Sequence, residues 1–207
     1  MLVRTTAINK IIKLKKRIKI IQGGTSAGKT FGILPILIHK AADTPNIEIS
    51  VVAESIPHLR RGALKDFLNI MKWTGRYFEQ RFNKSLLRYE FANGSYIEFF
   101  SADDSSKLRG ARRDILYINE CNNVDFNSYN ELAIRTKQEI YLDFNPANEF
   151  WVHTELKDEG DSDFLILTYK DNEALDERIV KEIEKNRLKA NTSSYWENWW
   201  RVYGEGL

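Results

Sequence analysis

Residues 17–30 read Arg17-Ile18-Lys19-Ile20-Ile21-Gln22-Gly23-Gly24-Thr25-Ser26-Ala27-Gly28-Lys29-Thr30. The first six predict a short β-strand. The last eight satisfy the spacing G-x-x-x-x-G-K-[ST] of a phosphate-binding loop set between a strand and a helix. Each residue type has a physical reason. Gly23 and Gly28 permit a tight turn whose N–H groups, those of Gly24, Thr25, Ser26 and Ala27 among them, point inward at phosphate oxygens. Lys29 supplies a point charge to the β- and γ-phosphates of a bound ATP. The Thr30 hydroxyl is placed to ligate Mg²⁺, and the helix starting there adds the positive end of its dipole. The bland alternative, a glycine-rich turn with no nucleotide, sits poorly with a strand before it and a helix after it.

Outward from the loop, residues 30–42 predict a helix rich in Ile and Leu. Pro35 lies about one turn inside it, where a missing N–H costs least. Residues 47–53 are apolar enough for a strand buried on both faces, and Pro57 starts a helix running to about Trp73. Two runs, 86–92 and 95–101, flank Asn93-Gly94, a strong hairpin signal. Strands follow at 115–118, 140–144 and 164–168, with helical stretches at about 126–136 and 176–190. This alternation predicts an α/β fold with a mostly parallel sheet and helices on both faces. The expected division is a P-loop ATPase core over 1–170 and a small helical lid or linker over 171–207.

Composition narrows the class. At 207 residues, 43% hydrophobic and 29% charged, the chain reads as globular rather than disordered. It has no apolar run of about 18 residues, and its basic, amphipathic start is unlike a signal peptide. The single cysteine, Cys121, excludes an internal disulfide and suits a reducing cytoplasm. Residues 1–42 hold nine Lys or Arg and no Asp or Glu. Such a block either meets phosphates or forms the solvated face of a helix opposite Ile8, Ile11 and Ile12.

Hydrolysis needs a second element to hold the metal and orient the attacking water. Ile115-Leu116-Tyr117-Ile118-Asn119-Glu120 is an apolar strand ending in two polar residues, the form of a Walker B segment. Glu120 is the expected catalytic base, one residue beyond the metal-side position Asn119. An acid there marks P-loop ATPases of the additional-strand catalytic-glutamate type rather than small GTPases. An aspartate is usual at the metal side. The Asn119 carbonyl can accept from a Mg²⁺-bound water but brings no charge, so metal affinity would rest more on Thr30 and the phosphates. The alternative is a surface strand end with an incidental Asn-Glu pair.

Taken together, these segments resemble the large terminase subunits of tailed bacteriophages. Besides the loop, the resemblance rests on Val51-Val52-Ala53-Glu54 with Leu59-Arg60-Arg61-Gly62, and on Lys107-Leu108-Arg109-Gly110 leading into Ile118-Asn119-Glu120. Asp143-Phe144-Asn145-Pro146 with Trp151, and the closing Trp199–Gly206 stretch, complete it. The resemblance implies an N-terminal ATPase domain that drives double-stranded DNA into a procapsid. It implies a portal protein and a small terminase subunit as partners, a homo-oligomeric ring, and the host cell cytoplasm as location. It gives Asn145 the role of a γ-phosphate-sensing coupling residue, and Arg109 or Arg112 that of an arginine finger serving a neighbouring subunit. Gly110 favours Arg109.

Two departures stand out. Many terminases carry an arginine where this loop has Thr25, and the family's C-terminal nuclease domain has no counterpart before Leu207, so no nuclease activity is expected. Asp103-Asp104 and Asp161 with Asp163 do not replace its carboxylates. Rival readings are a helicase- or recombinase-like DNA-dependent ATPase, a P-loop small-molecule phosphotransferase, and a switch without turnover. Cys121 reads as a buried filler, and His39, His58 and His153 show no metal-ligand spacing. Trp196, Trp199 and Trp200 fit a core-facing helix better than a nucleic-acid stacking platform.

Overall fold

The apolar runs around the glycine loop become neighbours in one eight-stranded sheet. A computed structural model describes residues 3–103, 110 and 112–207. The strands are β1 (Ile18–Gly23), β2 (Glu48–Ala53), β3 (Phe82–Asn83), β4 (Arg88–Glu90), β5 (Tyr96–Ser101), β6 (Arg113–Ile118), β7 (Thr136–Phe144) and β8 (Ser162–Leu167). Their order is β3-β4-β5-β2-β6-β7-β1-β8. Strands β5 through β8 in that order run parallel, and β4 and β3 extend the sheet antiparallel. The expected mostly parallel α/β architecture is therefore present, with β7 inserted between the loop-bearing β1 and the Asn-Glu strand β6.

Seven helices are described: α1 (Thr6–Ile12), α2 (Lys29–Asp43), α3 (Ile56–Arg61), α4 (Ala63–Trp73), α5 (Phe126–Ala133), α6 (Glu177–Arg187) and α7 (Ser194–Trp199). Alternation along the strands assigns the two faces. Ile21, Val51 and Tyr117 pack with Ala7, Leu34 and Phe67 of α1, α2 and α4. Ile20, Leu116 and Leu142 pack on the other side with Tyr129 and Leu132 of α5. Both β1 and β6 are buried along their whole length, as a covered parallel sheet requires.

The basic N-terminal block is partly neutralised inside the fold. Ala7, Ile8 and Ile11 bury one face of α1. The Lys15 and Lys16 N–H groups donate to Asp163 at 2.6 and 2.9 Å, and Lys10 pairs with Asp171 at 2.7 Å. Lys19 meets Glu139 at 3.4 Å. The Asn93-Gly94 turn forms as expected, with Gly94 at φ +85°. The Asn93 amide also donates to the Ala41 and Ala42 carbonyls, which ties the hairpin to the end of α2.

The strand expected at 140–144 already begins at Thr136 and cuts the helix expected over 126–136 to Phe126–Ala133, and β3 was not foreseen. Two further elements differ from expectation. The helix expected over 57–73 breaks at Gly62, whose φ −102° and ψ −112° lie outside the helical region. This break turns α3 away from α4. The chain after Asn145 forms a wide turn at Val152–Leu156, closed by Lys157 N–H to Val152 O at 2.9 Å. Its Val152 and Leu156 side chains fill the second core. Periodicity at the usual helical spacing does not reveal such a turn.

Phe67 is fully buried, with Phe99 at 5.0 Å and Tyr89 at 5.9 Å between ring centroids. Phe67→Ala should lower unfolding stability by about 3–5 kcal/mol, read as a drop in denaturant midpoint at unchanged slope.

Candidate active site

The C-terminal ends of β1, β6 and β7 lie side by side. In register, Ile21 faces Asp143 and Gln22 faces Phe144, while Ile118 faces Leu142. Open α/β sheets place their ligand crevice at such strand ends. The loop after β1 bends through Ser26 at φ +71° and Gly28 at φ +77°. Gly28 is the residue from which α2 starts, so a left-handed backbone aims the first turn of that helix into the crevice. The Asn172 amide donates to Ser26 O at 2.9 Å and braces the bend from outside.

Lys29 is buried. Its ammonium donates to Gly23 O at 2.7 Å, Gly24 O at 3.1 Å and the Asn145 side-chain oxygen at 2.7 Å. Burial pushes its pKa down, opposed by the nearby charges of Asp143 and Glu120. Thr30 sits beside it, with its hydroxyl oxygen 3.5 Å from the Asn119 amide nitrogen. The structure therefore brings Lys29, Thr30, Asn119 and Asn145, drawn from three separate segments, to one point.

Glu120 follows β6 in a left-handed conformation, φ +52° and ψ +56°. An observed outlier of this kind is a common property of functional positions. Its N–H donates to Asp143 Oδ1 at 3.0 Å, and its carboxylate meets His58 Nε2 at 3.1 Å. The side chain is 38% exposed, so it reaches the crevice rather than the core. Cys121 next to it is fully buried, and burial drives its thiol pKa well up, which suits a filler and not a nucleophile.

Asp143 is the residue that sequence reasoning passed over. It is 1% exposed, and its Oδ1 accepts from Tyr117 OH, Asn119 Nδ2 and Glu120 N–H, each at 3.0 Å. Its place two residues before Asn145 was the available signal. His58 was also missed, because its partner Glu120 lies far away in the sequence.

The remaining candidates separate. Arg109 lies outside the described residues. Arg112 is exposed and precedes β6 at the opposite end from Glu120. Six strand residues at roughly 3.3 Å each put about 20 Å between them. Arg112 thus cannot reach this chain's own crevice. On α7 no aromatic side chain is fully buried, and Tyr195 is exposed.

Lys29, Thr30, Glu120, Asp143 and Asn145 line a cavity of about 710 Å³, together with Ile8, Phe31, Asp66, Trp73 and Leu175. That volume suits a ligand the size of a nucleotide. Burial raises the Asp66 pKa to about 6, with Lys65 partly opposing.

The family described as phage terminase large subunit matches residues 15–205. No curated protein matches the chain. Among solved structures, the large terminase of a thermophilic bacteriophage is similar at a TM-score of 0.77 and 17% identity, covering 98% of this chain and 53% of that one. The large terminase of bacteriophage HK97 is similar at a TM-score of 0.68 and 14% identity, covering 97% and 48%. The large terminase ATPase domain of Thermus phage P74-26 gives 0.65 and 13%, covering 97% and 92%. This chain thus spans about half the length of the first of these and nearly all of the isolated ATPase domain. At such identities the structural likeness establishes the fold.

Asp66 yields a pH signature. Its folded pKa lies above the ordinary 3.8, so the folded state prefers the neutral acid. Stability is lost as the pH rises from 3.8 through about 6, because the unfolded chain ionises first. The difference in thermal midpoint between Asp66→Asn and the unaltered chain should grow in the variant's favour across that window. A constant difference would mean Asp66 titrates normally.

Proposed function

As the chain belongs to the phage terminase large subunit family, we propose that it is the ATP-hydrolysing motor domain of viral DNA packaging. The observation that carries this reading is the buried Lys29 ammonium, clamped between the glycine loop and Asn145, with Glu120 at the rim of the same cavity. In this reading residues 1–170 act as the ATPase core and 171–207 as a lid or linker.

Triphosphate oxygens replace the Gly23 and Gly24 carbonyls as acceptors for Lys29, whose three N–H donors suit a point-charge phosphate contact. The N–H groups of residues 24–28 and the start of α2 bind the remaining oxygens. The Thr30 hydroxyl and the buried Asp143 carboxylate at the end of β7 are hard oxygen donors that fit Mg²⁺, which usually keeps few protein ligands. When bound, Mg²⁺ would supply charge neutralisation to the phosphates. Glu120 takes the proton of the attacking water, and His58 orients its carboxylate. Asn145 senses the change, since a Lys29 drawn toward phosphate loosens its 2.7 Å contact.

In the assembled motor, an arginine at 109 completes a neighbouring subunit's site within a ring. The ring grips double-stranded DNA through its backbone phosphates, because a translocase is indifferent to sequence. The portal protein and small terminase subunit are the further partners, on a procapsid in the host cell cytoplasm. Among the described residues no helix is long and apolar enough to cross a membrane.

Glu120→Gln should cut phosphate release by about 10²–10⁴-fold while leaving nucleotide affinity close to that of the unaltered chain. Undiminished turnover would remove Glu120 from the role of base. For the finger, subunits carrying Arg109→Ala and subunits carrying Lys29→Ala should each be inactive alone and regain DNA-stimulated turnover when mixed. Absence of rescue at every mixing ratio argues against action in trans.

A further inference from the structure

The metal side of this site holds an asparagine where a carboxylate is usual, and a carboxylate stands on the next strand. Asn119 and Asp143 each lie one residue beyond the in-register pair Ile118 and Leu142. The Asn119 amide nitrogen faces Asp143 Oδ1 at 3.0 Å, the Tyr117 hydroxyl at 3.2 Å and the Thr30 hydroxyl at 3.5 Å. Its oxygen points the other way, toward Gly62. This orientation follows from the neighbours, because Asp143 Oδ1 already accepts from the Tyr117 hydroxyl and the Glu120 N–H, and a flipped amide would set oxygen against that acceptor. Asn119 therefore presents a donor, not an acceptor, to the Thr30 side.

Asp143 has the complementary arrangement. Three neutral donors converge on Oδ1, and among the described residues no donor reaches Oδ2. The residue nonetheless lines the cavity beside Thr30 and Lys29. A carboxylate 1% exposed, with no ammonium or guanidinium in hydrogen-bond reach among the described residues, carries a desolvation cost that a bound cation would offset. Lys29 does not fill that role directly, since its three hydrogen bonds go to Gly23, Gly24 and Asn145.

We propose that Asp143, on the strand inserted between β1 and β6, is the carboxylate that holds the Mg²⁺ of Mg²⁺–ATP, and that Asn119 is its positioning residue. The negative charge of the metal site has moved one strand sideways, from β6 to β7. Tyr117, Asn119 and the Glu120 N–H lock Oδ1 and leave Oδ2 for the metal or its water. The inference rests on the reading of the cavity as a Mg²⁺–ATP site.

The test uses the whole chain with a fluorescent, non-hydrolysable ATP analogue. Nucleotide affinity is measured in EDTA and in Mg²⁺, and Mn²⁺ affinity in the ternary complex is read by electron paramagnetic resonance. Asp143→Asn should weaken Mn²⁺ binding by about 10–100-fold, the range for losing an ordered metal-site partner, and leave affinity in EDTA equal or higher. Asn119→Ala should lose less, because the carboxylate remains. The exchanged pair, Asn119→Asp with Asp143→Asn, keeps an amide–carboxylate contact between the strands and should recover Mn²⁺ binding. It also decides the matter if Asp143→Asn alone fails to fold.

Wild-type Mn²⁺ affinity in Asp143→Asn, or a larger loss in Asn119→Ala than in Asp143→Asn, overturns the proposal. So does an exchanged pair that binds nucleotide in EDTA but not Mn²⁺. A distinct failure is nucleotide binding unaffected by Lys29→Ala. That result would sink the ATP-site reading itself, and the inference with it.

Discussion

The buried ammonium of Lys29 is the interaction on which the rest of the site depends. Removing it from water is unfavourable, as its lowered pKa records, and the fold offsets this with three oxygens from two segments. Two of these are carbonyls of the loop itself, so the loop keeps its shape around its own cation before any phosphate arrives. The third belongs to Asn145, which makes the end of β7 part of the same cradle. Asp143 lies two residues earlier and adds the charge that opposes Lys29. A single strand therefore supplies both the neutral contact and the countercharge.

That arrangement follows from sheet order. Had β6 lain beside β1, the Asn119–Glu120 end would abut the loop and leave no room for Asp143. Placing β7 between them sets Ile21 opposite Asp143 on one side and Ile118 opposite Leu142 on the other. The Oδ1 of Asp143 then collects donors from β6 and from the start of the Glu120 turn. The Glu120 N–H is tied to Asp143 at the point where the backbone turns left-handed, so the start of that turn is anchored. Strain at the rim is thus supported from the core.

Much of this was legible in the sequence. The loop spacing, the apolar strands and the Asn93-Gly94 turn depend on local chemistry and are present, although β7 starts four residues before its expected position and β4 is shorter than the run 86–92. Asn145 and Glu120 were legible as strand-end polar residues, and they do meet at one crevice with Lys29. What stayed hidden was relational. The role of Asp143 depends on which strands are neighbours, and a sequence of alternating strands and helices does not state their order. The orientation of the Asn119 amide depends in turn on Asp143. His58 required the break at Gly62, where a non-helical glycine redirects a helix that periodicity alone continues to Trp73.

The C-terminal segment is joined to the loop by the same close approach that demands glycine. A Cβ at Gly24 would lie 2.2 Å from Tyr203 O, and Gln22 donates to Gly206 O at 2.6 Å. The Gln22 side chain also lies 3.4 Å from His153, in the wide turn that follows Asn145. One residue at the end of β1 therefore touches both the closing segment and the turn beyond β7. Backbone contacts this close cannot absorb an independent shift of the loop. When the loop adjusts to phosphate, residues 203–206 must move with it or separate from it. In the proposed motor, coupling of hydrolysis to motion would draw on these two attachments of Gln22, to Gly206 and to His153, at one strand end.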